Sequence, residues 1–206
     1  RFDGDALTRI GVALERPYHL SYPFIFRDGD QIFMIPETHQ ARRLEVWRCR
    51  EFPLKWELHA TAFEGQSPAD SVLIRHEGKW WLFTNLSDFH AYEDHCSELY
   101  LFEVDGPALT VIRPHKRNPV VIGSTEARGA GRIFERGGRL LRPSQHNAHG
   151  IYGYALNIME IEKLTPDDYR ERRIRTITPA FKAGLHGCHH FDAAEGRYIL
   201  DARLTI

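Results

Sequence analysis

Acids, amides, guanidinium groups and imidazoles recur at matching points along this chain. Glu37 follows Met34-Ile35-Pro36, Asp70 follows Ser67-Pro68-Ala69 and opens an otherwise apolar run, and Glu126 with Arg128 stands in Thr-Glu-Ala-Arg-Gly-Ala-Gly. Carboxyl groups so placed suit proton transfer: Asp70 as base, hydroxyl anchor or modulator of a neighbouring acid, Glu37 as its partner, and Glu126 as an acid for a leaving group. Arg128 and Arg142 offer planar forks for vicinal hydroxyls, carboxylate or phosphate. Tyr22, Asn85 and Gln145 add donors and acceptors, and His19 and His186 could donate to a hydroxyl or shuttle a proton. The catalytic candidates are therefore Asp70, Glu37 and Glu126. The substrate-binding candidates are His19, Tyr22, Asn85, Arg128, Arg142, Gln145 and His186. Each has a plainer alternative: Asp70 a strand-start cap, Glu37 a solvated loop-end charge, the stretch around Glu126 a tight loop, His19 a packed loop histidine. His186, Cys188 and His190 alternate and would share one strand face, with His189 and Asp192 on the other. Zinc normally shows a four-ligand set with recognisable spacing, and no second cluster is evident, so neither metal nor cofactor is expected.

These residues gain meaning from the elements that carry them. An apolar run, a polar turn and a second apolar run recur four times, over 22–35, 70–83, 130–143 and 188–201. β-Branched and aromatic residues fill the arms, and Asp-Gly, Glu-Gly or Gly-Gly supplies the turn, which is hairpin chemistry. The spacing is that of propeller blades. Two more strand-like runs follow each of the first three hairpins, at 44–50 and 56–63, 98–104 and 109–113, and 154–161 and 169–177. A short turn is expected around 165–170. The fold expected is all-β, a propeller with four antiparallel strands per blade and an incomplete first blade. Residues 1–18 read as an outer strand of that blade, with the strand itself at 7–12. If the two ends share one blade the ring closes at four; if residues are missing at either end, five is more natural. In each hairpin the first residue of one arm should oppose the last of the other, pairing Tyr22 with Glu37, Asp70 with Asn85, Ala130 with Gln145 and Cys188 with Arg203. All four pairs then converge on one mouth of the axis, a constellation suited to a sugar.

Composition narrows the partners. The chain has 206 residues, 42% apolar and 12% aromatic, enough for one domain spanning 1–206 with a real core. With 27 basic against 28 acidic residues, no field gathers nucleic acid or anionic lipid, and no stretch is long and apolar enough to span a membrane. Three widely spaced cysteines argue against a disulfide framework and for a reducing compartment, so the cytoplasm is the default location. The start at Arg1 leaves room for an N-terminally truncated fragment. An open ring would expose a blade edge, through which a homodimer could form.

Several motifs carry a resemblance across nearly the whole chain: His-Leu-Ser-Tyr-Pro (19–23), Met-Ile-Pro-Glu (34–37), Asp70 ahead of Gly-Lys-Trp-Trp-Leu-Phe (78–83), Asn-Pro-Val-Val (118–121), Arg-Pro-Ser-Gln (142–145), Tyr-Gly-Tyr-Ala-Leu (152–156) and Gly-Leu-His-Gly (184–187). In these the chain resembles the propeller domain of glucosamine inositolphosphorylceramide transferase-like proteins, itself similar to the five-bladed propellers of arabinanases, levansucrases and invertases. The resemblance implies five blades and sugar chemistry, by a glycosyl transferase or glycosidase-like site, with Asp70 at the second carboxylate and Glu126 or Arg128 near the general acid. An Ala-Asp-Pro first blade is absent, and Arg-Gly-Ala-Gly stands where Glu-Gly-Pro is expected. These departures suit a transferase or a binding module better than a plain glycosidase. A non-catalytic sugar-binding or scaffolding propeller, and a degenerate enzyme fragment, remain alternatives.

Overall fold

The computed structural model describes residues 1–3, 6–87, 94–194 and 196–204. A short hairpin of β1 (Phe2–Asp3) and β2 (Ala6–Leu7) opens the chain. The strand expected over 7–12 ends at Leu7, and residues 8–20 carry no strand. Ile10 and Val12 lie exposed, with no neighbouring strand among the described residues to take up their backbone groups.

Three four-stranded antiparallel meanders follow. The first runs β3 (Ser21–Asp28), β4 (Gln31–Glu37), β5 (Leu44–Glu51) and β6 (Lys55–Ala62). The second runs β7 (Ser67–His76), β8 (Lys79–Ser87), β9 (Glu98–Val104) and β10 (Ile112–Pro114), with β11 (Val121–Ile122) pairing the other end of β9. The third runs β12 (Phe134–Arg136), β13 (Arg139–Ala148), β14 (Ile151–Leu164) and β15 (Tyr169–Ile177). Beyond it, β16 (Leu185–Gly187) pairs with β19 (Arg203–Leu204), and between them β17 (Phe191–Ala194) pairs with β18 (Arg197–Leu200). These two ladders form the fourth hairpin. Two single-turn 3-10 helices, at His39–Ala41 and Pro179–Phe181, are the only helices among the described residues. The all-β class and the four-stranded unit are thus observed in three sheets.

Turn chemistry explains the hairpins. Glu77 and Gly78, and likewise Gly137 and Gly138, take positive φ at both turn positions, which matches the right-handed twist of the flanking strands. The expected turn at 165–170 tightens into a hairpin end in which the Thr165 amide donates to the Asp168 carbonyl. Apolar faces of neighbouring sheets then interdigitate. Phe24, Phe26, Ile35 and Val46 belong to one buried cluster with Val72, Trp81, Leu101 and Tyr169. Trp81 is core as its neighbours predict, while Trp80 meets Phe26 edge-on across the seam between the first two sheets. The third sheet and the fourth hairpin meet more closely, backbone to backbone. Gly131 pairs in parallel with Phe191, and a Cβ on Gly131 would fall 1.8 Å from the Phe191 carbonyl oxygen. A Cβ on Gly187 would fall 2.5 Å from the Gly153 oxygen. Only glycine fits this seam.

Candidate functional site

The first strands of successive units lie side by side, and each carries an irregularity near its start. A plain two-residue hairpin would pair Tyr22 with Glu37 and Asp70 with Asn85. The register instead reads Ser21 with Glu37, Ala69 with Asn85, and Gly187 with Arg203, one residue slipped in each hairpin, while the third slips by two to place Gly129 opposite Ser144. The expected cross-strand pairs are corrected accordingly: an inserted residue bulges each inner strand at the mouth. Tyr22 and Asp70 are equivalent bulge residues, with φ of 46° and 49° in the left-handed region. Non-glycine residues there cost about 1–3 kcal/mol and persist where surrounding structure holds them, commonly at functional sites.

The bulges border a cavity of about 450 Å³. One wall is built from Tyr22 and Glu37 of the first sheet, Asp70 of the second, and Arg128 from the segment entering the third. Arg128 Nε donates to Asp70 Oδ2 at 2.6 Å, and its Nη2 reaches Glu37 Oε2 at 3.4 Å. Asp70 and Glu37 lie close enough to act on each other's protonation, so one guanidinium serves two interacting carboxyl groups. Burial pushes the Asp70 carboxyl up to about 7; Arg128 opposes the rise and Glu37 adds to it. Burial acts on Glu37 too, but Arg128, Asp70 and His39, whose Nδ1 stands 3.0 Å from Oε1, together hold it below the usual carboxylate range. Near neutral pH the pair therefore carries Glu37 as the anion and Asp70 as a group able to give or take a proton.

The opposite wall comes from the third and fourth units. The Arg128 guanidinium carbon lies 5.1 Å from the Tyr152 ring centre, and that ring meets His189 edge-on at 5.4 Å. His190 packs edge-on against Tyr22 at 4.9 Å, and burial lowers its imidazole's pKa. Gln145 Nε2 donates to the Gly129 carbonyl at 3.2 Å, which fixes the amide's orientation and leaves its buried Oε1 without a partner.

Six of the ten sequence candidates line the cavity: His19, Tyr22, Glu37, Asp70, Arg128 and Gln145. The other four lie elsewhere. Asn85 is fully buried and saturated, donating to the carbonyls of Glu98 and Ala127 and accepting from the Gly129 amide, so it ties sheets together. Arg142, three residues from Gln145, points to the other face of β13 and pairs with Glu171 beneath the sheet. The Glu126 carboxylate faces Arg173 at 3.6 Å, and only the Glu126 carbonyl turns inward, to Arg142. His186 is exposed on β16. The proposed alternation of His186, Cys188 and His190 is broken by the bulge: Cys188 is buried against Ala130 and Leu156, while His189 and His190 both reach the cavity. Asp192 pairs with Arg132 instead. Sequence reasoning missed Tyr152. Its signal was the tight His149-Gly150 turn, both residues at positive φ, which ends β13–β14 and delivers the tyrosine to the rim.

Residues 2–194 match the family described as glucosamine inositolphosphorylceramide transferase 1, N-terminal. The chain is 34% identical over 193 residues to glucosamine inositolphosphorylceramide transferase 1 of Oryza sativa subsp. japonica, covering 90% of this chain and 25% of that protein. It is 32% identical over 194 residues to the protein of the same name from Arabidopsis thaliana, with the same coverage. The chain spans about a quarter of the length of these relatives. Among solved structures, alpha-L-arabinofuranosidase from Lactobacillus brevis superposes with a TM-score of 0.53 at 14% identity, over 90% of this chain and 63% of that one. At that identity the likeness is one of fold.

Proposed function

The chain belongs to the family of glucosamine inositolphosphorylceramide transferase 1 N-terminal regions, and from that premise we propose that it is a carbohydrate-handling β-propeller domain that seats a glycosyl group in the cavity at its axis. In this reading the three complete sheets and the fourth hairpin are consecutive blades of a five-bladed ring. Asp70 is the proton-transfer group, Glu37 and Arg128 set its protonation, and Gln145 Oε1 and the Tyr152 ring receive sugar hydroxyls and the sugar's apolar face.

The observation that carries the proposal is Asp70, a buried carboxyl set in left-handed backbone on the cavity wall and bound by Arg128 at 2.6 Å, with burial pushing it up to about 7. A group of that pKa can donate to or accept from a hydroxyl under working conditions. Asp70 and Glu37 bind the same Arg128 guanidinium, on one wall of the cavity, which speaks against a two-carboxylate hydrolysis geometry that sets the groups roughly 5–10 Å apart on either side of the sugar. This shared wall favours transfer or binding over hydrolysis.

A thermal-shift screen against monosaccharides, uronic acids, inositol phosphates and nucleotide sugars tests the proposal, with Asp70→Asn alongside. The expected result is stabilisation by at least one sugar that Asp70→Asn abolishes. Failure of every sugar to shift folded, monodisperse protein removes the reading. A sugar that binds without turnover in the presence of acceptor alcohols leaves a purely binding domain.

A further inference from the structure

The wall facing Asp70 contains a second set of groups arranged for proton chemistry. Asp201, at the end of the fourth hairpin, accepts the backbone amides of His189 and His190 on Oδ1, at 2.8 and 2.6 Å, and the His189 ring on Oδ2 through Nδ1. One carboxylate therefore fixes both the loop and the ring. The His189 and His190 amides and the His189 ring also hold the Asp201 carboxyl below its ordinary range, against the effect of burial. Tyr152 closes on the ring's side at 5.4 Å. Gly153 completes the cradle: a Cβ there would lie 2.8 Å from His189 Cβ, so only glycine lets the imidazole sit where it does. With Nδ1–H donated to Asp201, the proton-free nitrogen is Nε2, and no hydrogen bond from the described residues reaches it.

We propose that His189, oriented by Asp201, is the proton acceptor of the cavity, presenting Nε2 to a ligand hydroxyl. An imidazole whose far nitrogen is held by a carboxylate is fixed in one tautomer, with its other nitrogen left to accept a proton. Asp201 is the positioning residue. The inference rests on the sugar-cavity reading only for the ligand's identity, and it adds a division of labour: the hydroxyl proton passes to His189 Nε2 on one wall, while Asp70 supplies or holds a proton on the other. The expected hairpin register already set Asp201 opposite His190, but it gave no sign that the bulge would turn the His189 ring onto Asp201.

Asp201→Asn separates the proposal from a merely structural role. The asparagine carbonyl replaces Oδ1 and keeps both amide bonds, while its NH2 faces Nδ1 and forces the ring hydrogen onto Nε2. Long-range nitrogen–proton NMR of the imidazoles at pH 8 should show the Nδ1–H form for His189 in the wild type and the Nε2–H form in Asp201→Asn. Diethyl pyrocarbonate, which acylates proton-free imidazole nitrogen, should modify His189 in the wild type and do so several-fold more slowly in Asp201→Asn, read by peptide mass. A wild-type ring in the Nε2–H form, or equal modification of the two proteins, overturns the proposal. With a sugar identified by the thermal-shift screen, Asp201→Asn should weaken binding about tenfold, the worth of roughly 1.4 kcal/mol for one hydrogen bond, and bound sugar should protect His189 from acylation. Unchanged affinity together with no protection also overturns it. If no sugar binds but tautomer and acylation behave as stated, the sugar reading fails and the dyad stands.

Discussion

Two buried arginines lie fourteen residues apart in sequence and on opposite faces of the third sheet's inner edge, and they live in different chemistry. Arg142 is 2% exposed and meets Glu171 fork to fork at 2.8 and 2.5 Å; Tyr169 donates to the same carboxylate, and the Glu126 carbonyl takes a further guanidinium hydrogen. One cation faces one anion, and both carboxylate oxygens have a donor. Arg128 faces two carboxyl groups at once, with a thiol, Cys96, 3.8 Å from Nη1 and an aromatic face beside it. Burial, with Glu37 adding to it, pushes the Asp70 carboxyl up to about 7, so it can give or take a proton near neutral pH. Burial and an ion pair are common to both; the carboxyl count per guanidinium and the adjoining cavity distinguish them.

The sharpest way to break this comparison is to remove each guanidinium. Arg142→Met leaves Glu171 as an unpaired buried charge and should cost about 3–5 kcal/mol. Arg128→Met should cost less, about 1–2 kcal/mol, because Glu37 and Asp70 can still share one proton and release one charge. Urea unfolding of the two variants at pH 7 measures the gap, and equal losses would mean that Arg128 is as structural as Arg142. The two buried amides repeat the contrast. Asn85 satisfies two carbonyls and one amide across three segments, so Asn85→Ala should lose about 2–3 kcal/mol by orphaning them. A loss under about 1 kcal/mol would show that water replaces those bonds.

Much of this was open to inspection in the sequence, for local reasons. Four hairpins followed from Gly-bearing turns between apolar arms, and strands such as Glu98–Val104 and Tyr169–Ile177 fall on the expected boundaries. Asp70, Glu37 and Arg128 could be placed beside the cavity because they fall at or near the ends of inner-strand runs. Arg142 was misplaced by treating nearness to the mouth as sufficient, although its odd spacing from Gln145 already put it on the other face of β13. The bulges were not legible: an inserted residue depends on how neighbouring inner strands crowd the cavity, and it shifts the mouth residues by one, or by two in the third hairpin. That shift is what carries His189 and His190 into the cavity, and Tyr152 arrives from a hairpin tip whose reach depends on β14 being fourteen residues long.

The acid pair makes a pH prediction that Arg142 and Glu171 do not. Burial pushes the Asp70 carboxyl up to about 7 in the folded protein, well above the ordinary carboxylate range. Its folded pKa is raised, so its contribution to stability is complete below about pH 4 and is lost as pH rises toward 7 and past it. Asp70→Asn lacks this titration. Relative to wild type, the variant should gain about 1–3 kcal/mol between pH 5 and pH 8, a difference that cancels the histidines common to both proteins. Parallel curves across that window would place the Asp70 pKa near its ordinary value and remove the mobile proton from the argument.

The smallest expected change in stability is at Gln145, and it is the most informative about purpose. Its Nε2 makes a bond to Gly129 at 3.2 Å and a longer one of 3.4 Å to the Tyr152 hydroxyl, while Oε1 is buried and unpartnered. Gln145→Met removes about 1 kcal/mol of hydrogen bonding but also removes an unsatisfied acceptor whose burial costs about 1–3 kcal/mol. The two effects oppose each other, so the unfolding midpoint should move little, or rise. A residue selected for folding would not be arranged in this way. One kept for a ligand would, because a sugar hydroxyl donating to Oε1 once the amide turns toward the cavity converts the penalty into affinity, and proteins commonly give up stability at functional sites. Gln145→Met should therefore be near neutral in urea and weak in sugar binding, whereas Asn85→Ala should be costly in urea. If both amides behave like Asn85, the cavity's polar lining belongs to the fold.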